Sequence, residues 1–400
     1  MSSRLNPEPP PKSPAPVVIE TGLASFELVR SLGQGHHGEL LLTRQRYADG
    51  PGGYTVLKRL NRVVRQEDYQ RLVEEARLGG LLRHPNILSV QMLGGSAAEP
   101  LLFVEYTEGQ RLGDVMRRAE RAGRGFSEAF ACYVTAELAE GLHYAHARAD
   151  DKGRHLGIVH RDVTPQGILL GRGGEVKLVD FGGAWSRLEG RISTEGDSDL
   201  GNLSYSSPER ANLDQLDGRS DLFSLGLVLL QLLTGQHLLE AEGRYAAELR
   251  GRALRARGET GRPDASRPEP GWGGLDELSA PRTAELLRRI RELRVEQVED
   301  ALRPLSEELR VILRRLLAPR REDRYATGAL LSRALRDHLW TRGLRYGRSE
   351  LLTELTALEQ PVRDAEGEGL DAEPPEAPAD EARRGRGGTR ERSGGPPKGA

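Results

Sequence analysis

The 400-residue sequence predicts an α+β chain of two lobes, a small antiparallel sheet with one helix followed by a larger, mostly helical body. Three observations predict it. Short apolar runs separated by glycine turns fill residues 26–60, a helical period follows at once, and beyond residue 108 the apolar spacing is helical almost throughout. The length agrees, because 400 residues exceed what one compact core usually organises.

Residues 1–22 are rich in proline and serine without apolar periodicity, and read as a disordered leader. The small lobe spans 23–106. FELVRSLGQG, GELLLTRQRY and YTVLKRL are its first strands. Glu67–Leu82 carries Tyr69, Leu72, Val73 and Ala76 at helical spacing, and His84-Pro85-Asn86 stops that helix. Ile87–Leu93 and Leu101–Tyr106 read as further strands. In the larger lobe, 107–341, Phe126–Arg148 is a long amphipathic helix introduced by Ser127, with Phe130 placed for a staple-like contact. GILL and VKLVD form a short hairpin, Asp221–Thr234 a buried helix, and Leu305–Leu317 and Thr327–Trp340 two closing helices. Residues 241–283 are charged and rich in glycine and proline, an insertion or a loosely packed region. Residues 342–400 drift into a disordered tail.

Composition narrows the function. Lys and Arg number 58 against 60 Asp and Glu, a balance of −2 that gives no reason to expect nucleic acid or anionic lipid. The single cysteine, Cys132, excludes an intrachain disulfide and a Cys-rich zinc site. The longest apolar run, Leu225–Leu233, is broken by Gln231 and falls far short of the roughly 20 residues of a membrane span. The N-terminus has no secretory apolar core, so the expectation is a soluble cytoplasmic protein.

Gly33-Gln34-Gly35-His36-His37-Gly38 matches a phosphate-cradling glycine loop. Its position between two strands, rather than ahead of a helix, separates it from the dinucleotide fingerprint. Lys58 lies in the following strand, where an inward ammonium needs a partner; Glu74 and Glu75 on the next helix are the available ones. His160-Arg161-Asp162 and Asp180-Phe181-Gly182 come next. In this order the four motifs resemble the signature set of protein kinases. Ser207-Pro208-Glu209, Asp221-Leu222-Phe223-Ser224-Leu225-Gly226 and Arg324 extend the resemblance over residues 26–341, with the flavour of a eukaryotic-type bacterial Ser/Thr kinase.

That resemblance implies a bilobal protein-kinase-like fold, ATP and Mg²⁺ as cofactors, and a protein Ser/Thr hydroxyl as acceptor, in bacterial signalling. It assigns Lys58 to the α- and β-phosphates, Glu75 to Lys58, Asp180 to Mg²⁺, and Asp162 to the acceptor hydroxyl. Leu32, Gly33, Gly35, Gly38, Leu40, Val56, Val104, Glu105, Thr107 and Leu169 would line the ATP site, with adenine against the hinge Glu105-Tyr106-Thr107. His160, Phe181, Gly182, Glu209, Asp221 and Arg324 are implied structural residues. Arg161 beside Asp162 implies control by phosphorylation between Gly183 and Ser207, with Ser193, Thr194 and Ser198 foremost and Ser186 and Ser204 as further acceptors.

Departures cluster in the catalytic loop. Gly167 stands where the family carries a second metal-binding Asn, Thr164 where it carries a lysine, and Asn202 where it carries an orienting threonine. Gln166 beside Gly167 is the one group placed to reach a metal through water. Lys58, Asp162 and Asp180 are all retained. The alternative reading is therefore a pseudokinase, an ATP-binding or scaffolding module with weak or no phosphotransfer. His143 and His146 share the spacing of a helical metal pair, but no thiol or carboxylate cluster accompanies them, so a metal there is not expected. The proline-rich ends would suit protein partners.

Overall fold

The structure, a computed structural model, describes residues 17–20, 24–35, 38–60, 66–96, 99–188, 203–239 and 280–359. Strands Val17–Glu20 (β1), Ala24–Gly35 (β2), Gly38–Tyr47 (β3), Gly50–Leu60 (β4), Val90–Gly95 (β5) and Pro100–Glu105 (β6) form one antiparallel sheet in the order β1-β2-β3-β4-β6-β5. Period-two alternation gives it two distinct faces. Phe26, Leu41, Leu57, Leu101 and Phe103 pack on one, where the rings of Phe26 and Phe103 meet edge to face at 4.7 Å. Leu60, Leu102 and Val104 lie on the other, under Leu72 of helix Gln66–Leu81 (α1). Lys58 shares the parity of Val56 and Leu60 on β4, so strand geometry alone turns it toward α1.

The larger lobe holds a second sheet, Gly109–Arg111 (β7), Ile168–Gly171 (β8) and Val176–Leu178 (β9). Its helices include Leu112–Arg121 (α2), Glu128–His146 (α3), Pro208–Ala211 (α4), Gly218–Thr234 (α5), Ala280–Arg291 (α6), Val295–Leu302 (α7), Glu307–Leu316 (α8) and Gly328–Thr341 (α9). Helices α3 and α5 are apolar almost all round, and the core sits between and around them. Ser127 Oγ accepts from Phe130 N at 3.0 Å to start α3, and the rings of Phe126 and Phe130 stack at 4.8 Å. Cys132 is fully buried on α3, and burial pushes its thiol up to about 12, which makes it inert.

Three expectations need correction. β5 begins at Val90 rather than Ile87, because the residues before it cross-link the lobes: Leu178 N donates to Asn86 O and Leu88 N to Leu178 O, both at 2.8 Å. The Asn86 side chain adds bonds to Val176 O and Glu137 Oε2, each 2.9 Å. The leader contributes β1, which pairs with β2. The tail contributes a helix, Arg348–Glu359 (α10), because Leu351, Leu355 and Leu358 fall on one face and pack onto the large core, Leu351 and Leu358 being buried. Glu354 fastens it by accepting from Ser127 N at 2.8 Å and Ser127 Oγ at 2.6 Å. The remaining expectations for 1–16, 241–279 and 360–400 lie outside the described residues; 280–283 open α6. Among the described residues no helix is long and apolar enough to cross a membrane.

Candidate active site

Strand β4 and helix α1 bring Lys58 Nζ to 2.7 Å from Glu75 Oε2, while Glu74 turns away to Arg77. The same amine lies 3.2 Å from Asp180 Oδ1 and 3.4 Å from Oδ2, so it bridges the two lobes. Burial opposes its charge, yet Asp180 and Glu75 outweigh burial and raise its proton affinity above that of an ordinary lysine. Burial likewise pushes Glu75 up, against the pull of Lys58. Asp180 goes the other way: Lys58 holds its carboxyl below the usual range, and its side chain remains 56% exposed to the cleft. Asp180 is thus a charged carboxylate open to a ligand. Its backbone is left-handed, φ 65°, with Oδ1 accepting from Gly182 N at 3.2 Å to start the single turn Phe181–Gly183.

Asp162 sits in a loop held from below. Asp221, buried at the start of α5, accepts from His160 N through Oδ2 and from Arg161 N through Oδ1, both at 2.8 Å. These two bonds fix Arg161 at a φ of 70°, a costly value for a non-glycine residue. The Arg161 carbonyl accepts from Arg210 Nη1 on α4. His160 Nδ1 accepts from Asp162 N at 3.2 Å, which leaves Nε2 to donate to Val179 O at 3.2 Å, and its ring meets Phe181 at 4.5 Å. His160 is therefore a strut between the Asp162 loop and the Asp180 strand. Glu209 and Arg324 pair deep below, at 2.7 Å.

Gly33 and Gly35 end β2 and Gly38 opens β3. A Cβ on Gly38, whose φ is 159°, would lie 2.1 Å from Arg59 O, so only glycine lets β3 pass this close to β4. Leu40 faces Lys58 across the ladder, and Val56 faces both Leu42 and Val104. Leu32 lies on β2 and Leu169 on β8 of the larger lobe. The Glu105 carboxylate is engaged with Lys177 at 3.0 Å and Thr107 Oγ1 at 3.1 Å, and its backbone N–H donates to Ser89 O at 2.9 Å.

The departures have a structural shape. Thr164 is buried and caps the turn Pro165–Gly167, accepting from Gly167 N at 3.2 Å, so its hydroxyl is occupied within the loop. Gln166 does not reach toward a metal. Its amide packs against Gly113 on the first turn of α2, where an added Cβ would meet Nε2 at 2.1 Å. His146 is a support rather than half of a metal pair, with Nε2 2.8 Å from Asp221 Oδ2. Ser186 and Ser204 are buried, which counts against both as phosphate acceptors. Ser193, Thr194, Ser198, Asn202, His36 and His37 lie outside the described residues. Asn86, His146 and Arg210 carry positioning contacts that no motif announces. An asparagine directly after His-Pro at a helix end was the available signal for the first.

A family model described as the protein kinase domain matches residues 26–340. The chain belongs to the protein kinase family. The kinase domain therefore accounts for both lobes and leaves α10 beyond its matched end. Among curated relatives, Tyrosine-protein kinase MasK of Myxococcus xanthus is 31% identical over 341 residues, covering 82% of this chain and 46% of that protein. Serine/threonine-protein kinase PknJ of Mycobacterium tuberculosis is 34% identical over 218 residues, covering 53% of this chain and 34% of that protein. The kinase domain and its flanks thus span less than half the length of these relatives. A solved structure of the Mycobacterium tuberculosis PknI kinase domain aligns with 79% of this chain and 97% of its own, at 22% identity and a TM-score of 0.49.

Proposed function

We propose that the chain transfers the γ-phosphate of ATP to a Ser or Thr hydroxyl of a protein, in bacterial signalling. The observation that carries this reading is the bridge from Glu75 through Lys58 to Asp180, which puts one half-buried cation and one open carboxylate at the same point of the cleft. Phosphoryl transfer needs little covalent help, and positioned charge does most of the work. Lys58 would hold the α- and β-phosphates, kept in place by Glu75. Asp162 would accept the hydroxyl proton as that oxygen bonds to the γ-phosphorus and the bond to the β–γ bridging oxygen breaks, releasing ADP. His160 and Asp221 hold that carboxylate's loop without entering the chemistry.

The residues present fit Mg²⁺ in part. Asp180 offers a hard, exposed oxygen donor, Gly167 offers none, and among the described residues no group of three His, Cys, Asp or Glu gathers for a metal. Asp180 would hold the ion, which would neutralise charge on the phosphate oxygens. The buried Thr164 and the bare Gly167 favour a second reading, a pseudokinase that binds ATP and transfers little or no phosphate. Incorporation of labelled phosphate from ATP decides between them. Incorporation that Asp162→Asn abolishes, with an unchanged melting temperature, supports the enzyme; incorporation equal to the variant's overturns it. Phosphoamino-acid analysis of the product then assigns the acceptor, a necessary step because the names of the relatives include both tyrosine and Ser/Thr kinases.

A further inference from the structure

Lys177 is the middle residue of β9 and the third before Asp180. Val176 and Leu178 on either side of it belong to the large core, so strand alternation turns Lys177 to the opposite face, where it lies across the ladder from Leu169. On that face its ammonium meets Glu105, the last residue of β6: Nζ stands 3.0 Å from Oε1 and 3.3 Å from Oε2. Glu105 Oε2 also accepts from Ser89 N at 3.1 Å, just ahead of β5, and Oε1 accepts from Thr107 Oγ1 at 3.1 Å. One carboxylate therefore ties the small lobe's sheet and the hinge to the large-lobe strand that leads to Asp180. The Lys177 side chain is only 10% exposed, so water and salt screen the attraction little. Arg172 of the β8–β9 turn makes a neighbouring pair with Glu108 at 3.1 Å, but those side chains are 77% and 59% exposed, and such a pair holds weakly.

The Lys177–Glu105 pair is closed in the same conformation in which Lys58 bridges Glu75 and Asp180, so it belongs to the assembled cleft. Lys58 stands on β4, which is hydrogen-bonded to β6, the strand that ends at Glu105. We propose that Lys177 is a positioning residue of this cleft: by gripping Glu105 it sets the separation of Lys58 in the small lobe from Asp180 in the large lobe, and so the grip on the phosphates of a bound nucleotide. It acts through Glu105 rather than on the nucleotide, and the assignment rests on the nucleotide reading of the cleft. With the ammonium removed, Glu105 keeps its Ser89 and Thr107 donors and its side chain is 31% exposed, so no charge is stranded. The hinge then persists, and only its tie to β9 is lost.

The test measures Mg²⁺–ADP and adenosine binding by calorimetry on the full chain, for wild type, Lys177→Met, Glu105→Gln and the double variant. Each single variant is expected to weaken Mg²⁺–ADP about tenfold, within the range of substitutions that couple to a site without touching its ligand. Adenosine brings no phosphate to Lys58 and no metal to Asp180, so its binding is expected to stay unchanged, which also shows that the variants are folded. The two residues act as one unit, so the double variant is expected to bind like the singles. A purely structural role would lower the melting temperature and leave affinity alone. A change in Mg²⁺–ADP affinity below about twofold, equal weakening of adenosine, or losses that add in the double variant would each overturn the assignment. Failure of the wild type to bind Mg²⁺–ADP would instead remove the nucleotide reading itself, and the role of Lys177 with it.

Discussion

Arg324 and Glu209 form a two-pronged ion pair across 115 residues of sequence, Nη1 to Oε1 at 2.7 Å and Nη2 to Oε2 at 2.9 Å. The Arg324 side chain has no exposure and that of Glu209 has 8%. The guanidinium also donates to Ala318 O and Pro319 O and lies 4.7 Å over the Phe223 ring. Removing it strands a carboxylate in a low-dielectric site, a loss of about 3–5 kcal/mol. Urea unfolding of Arg324→Ala should show that loss. A change below about 1 kcal/mol would mean the pair is not the clamp described here.

Glu75 makes the site sensitive to pH. Burial pushes its carboxyl up to about 7, Lys58 pulls it back, and Asp180 adds to the rise; Lys58 itself stays charged. Above that pH the ion pair is charged on both sides, and below it Glu75 takes a proton and its hold on Lys58 weakens. ADP affinity should therefore fall on acidification with a midpoint about 7, and Glu75→Gln should remove that component. Stability runs the opposite way for this group. A carboxyl raised above its unfolded value near about 4.3 binds a proton on folding, so its contribution is full below that value and is lost as pH rises through about 7. Identical pH profiles for wild type and Glu75→Gln would contradict both statements.

Gly167 leaves room for the residue it replaces. An added Cβ would meet Asp162 O at 3.1 Å and Thr164 Oγ1 at 3.7 Å, a tight but adjustable fit. Gly167→Asn should restore an oxygen ligand and raise phosphate incorporation at limiting Mg²⁺ by about tenfold, below the roughly 10²–10³ that one preorganised group can contribute. Incorporation unchanged by the substitution would show that the missing ligand does not limit the reaction.

The motif residues are legible in the sequence because phosphoryl transfer demands fixed residue types in fixed order. Lys58, Glu75, Asp162 and Asp180 can be located before any coordinates exist, and strand parity already turns Lys58 inward. What stays hidden belongs to topology. β7 is only Gly109-Gln110-Arg111, with no alternation to detect, so the strand carries no signal until β8 pairs beside it. Asn86 reads as a helix stop, yet its backbone and side chain tie the lobes together. α10 does carry a signal, with Leu351, Leu355 and Leu358 on one face, but the surrounding charged and proline-rich composition masks it.

Leu351 tests that helix directly. It is fully buried against the large core, so Leu351→Ala should cost about 2–5 kcal/mol in urea unfolding. A loss under about 0.5 kcal/mol would mean α10 is not part of the folded unit.

The measurement closest to the heart of the account is Mg²⁺–ADP binding to the full chain, wild type against Lys58→Met. One amine held between Glu75 and Asp180 predicts that the wild type binds and that losing this charge weakens binding at least about tenfold, with adenosine little affected. Equal affinity of the two proteins for Mg²⁺–ADP, or no binding by either, would contradict it.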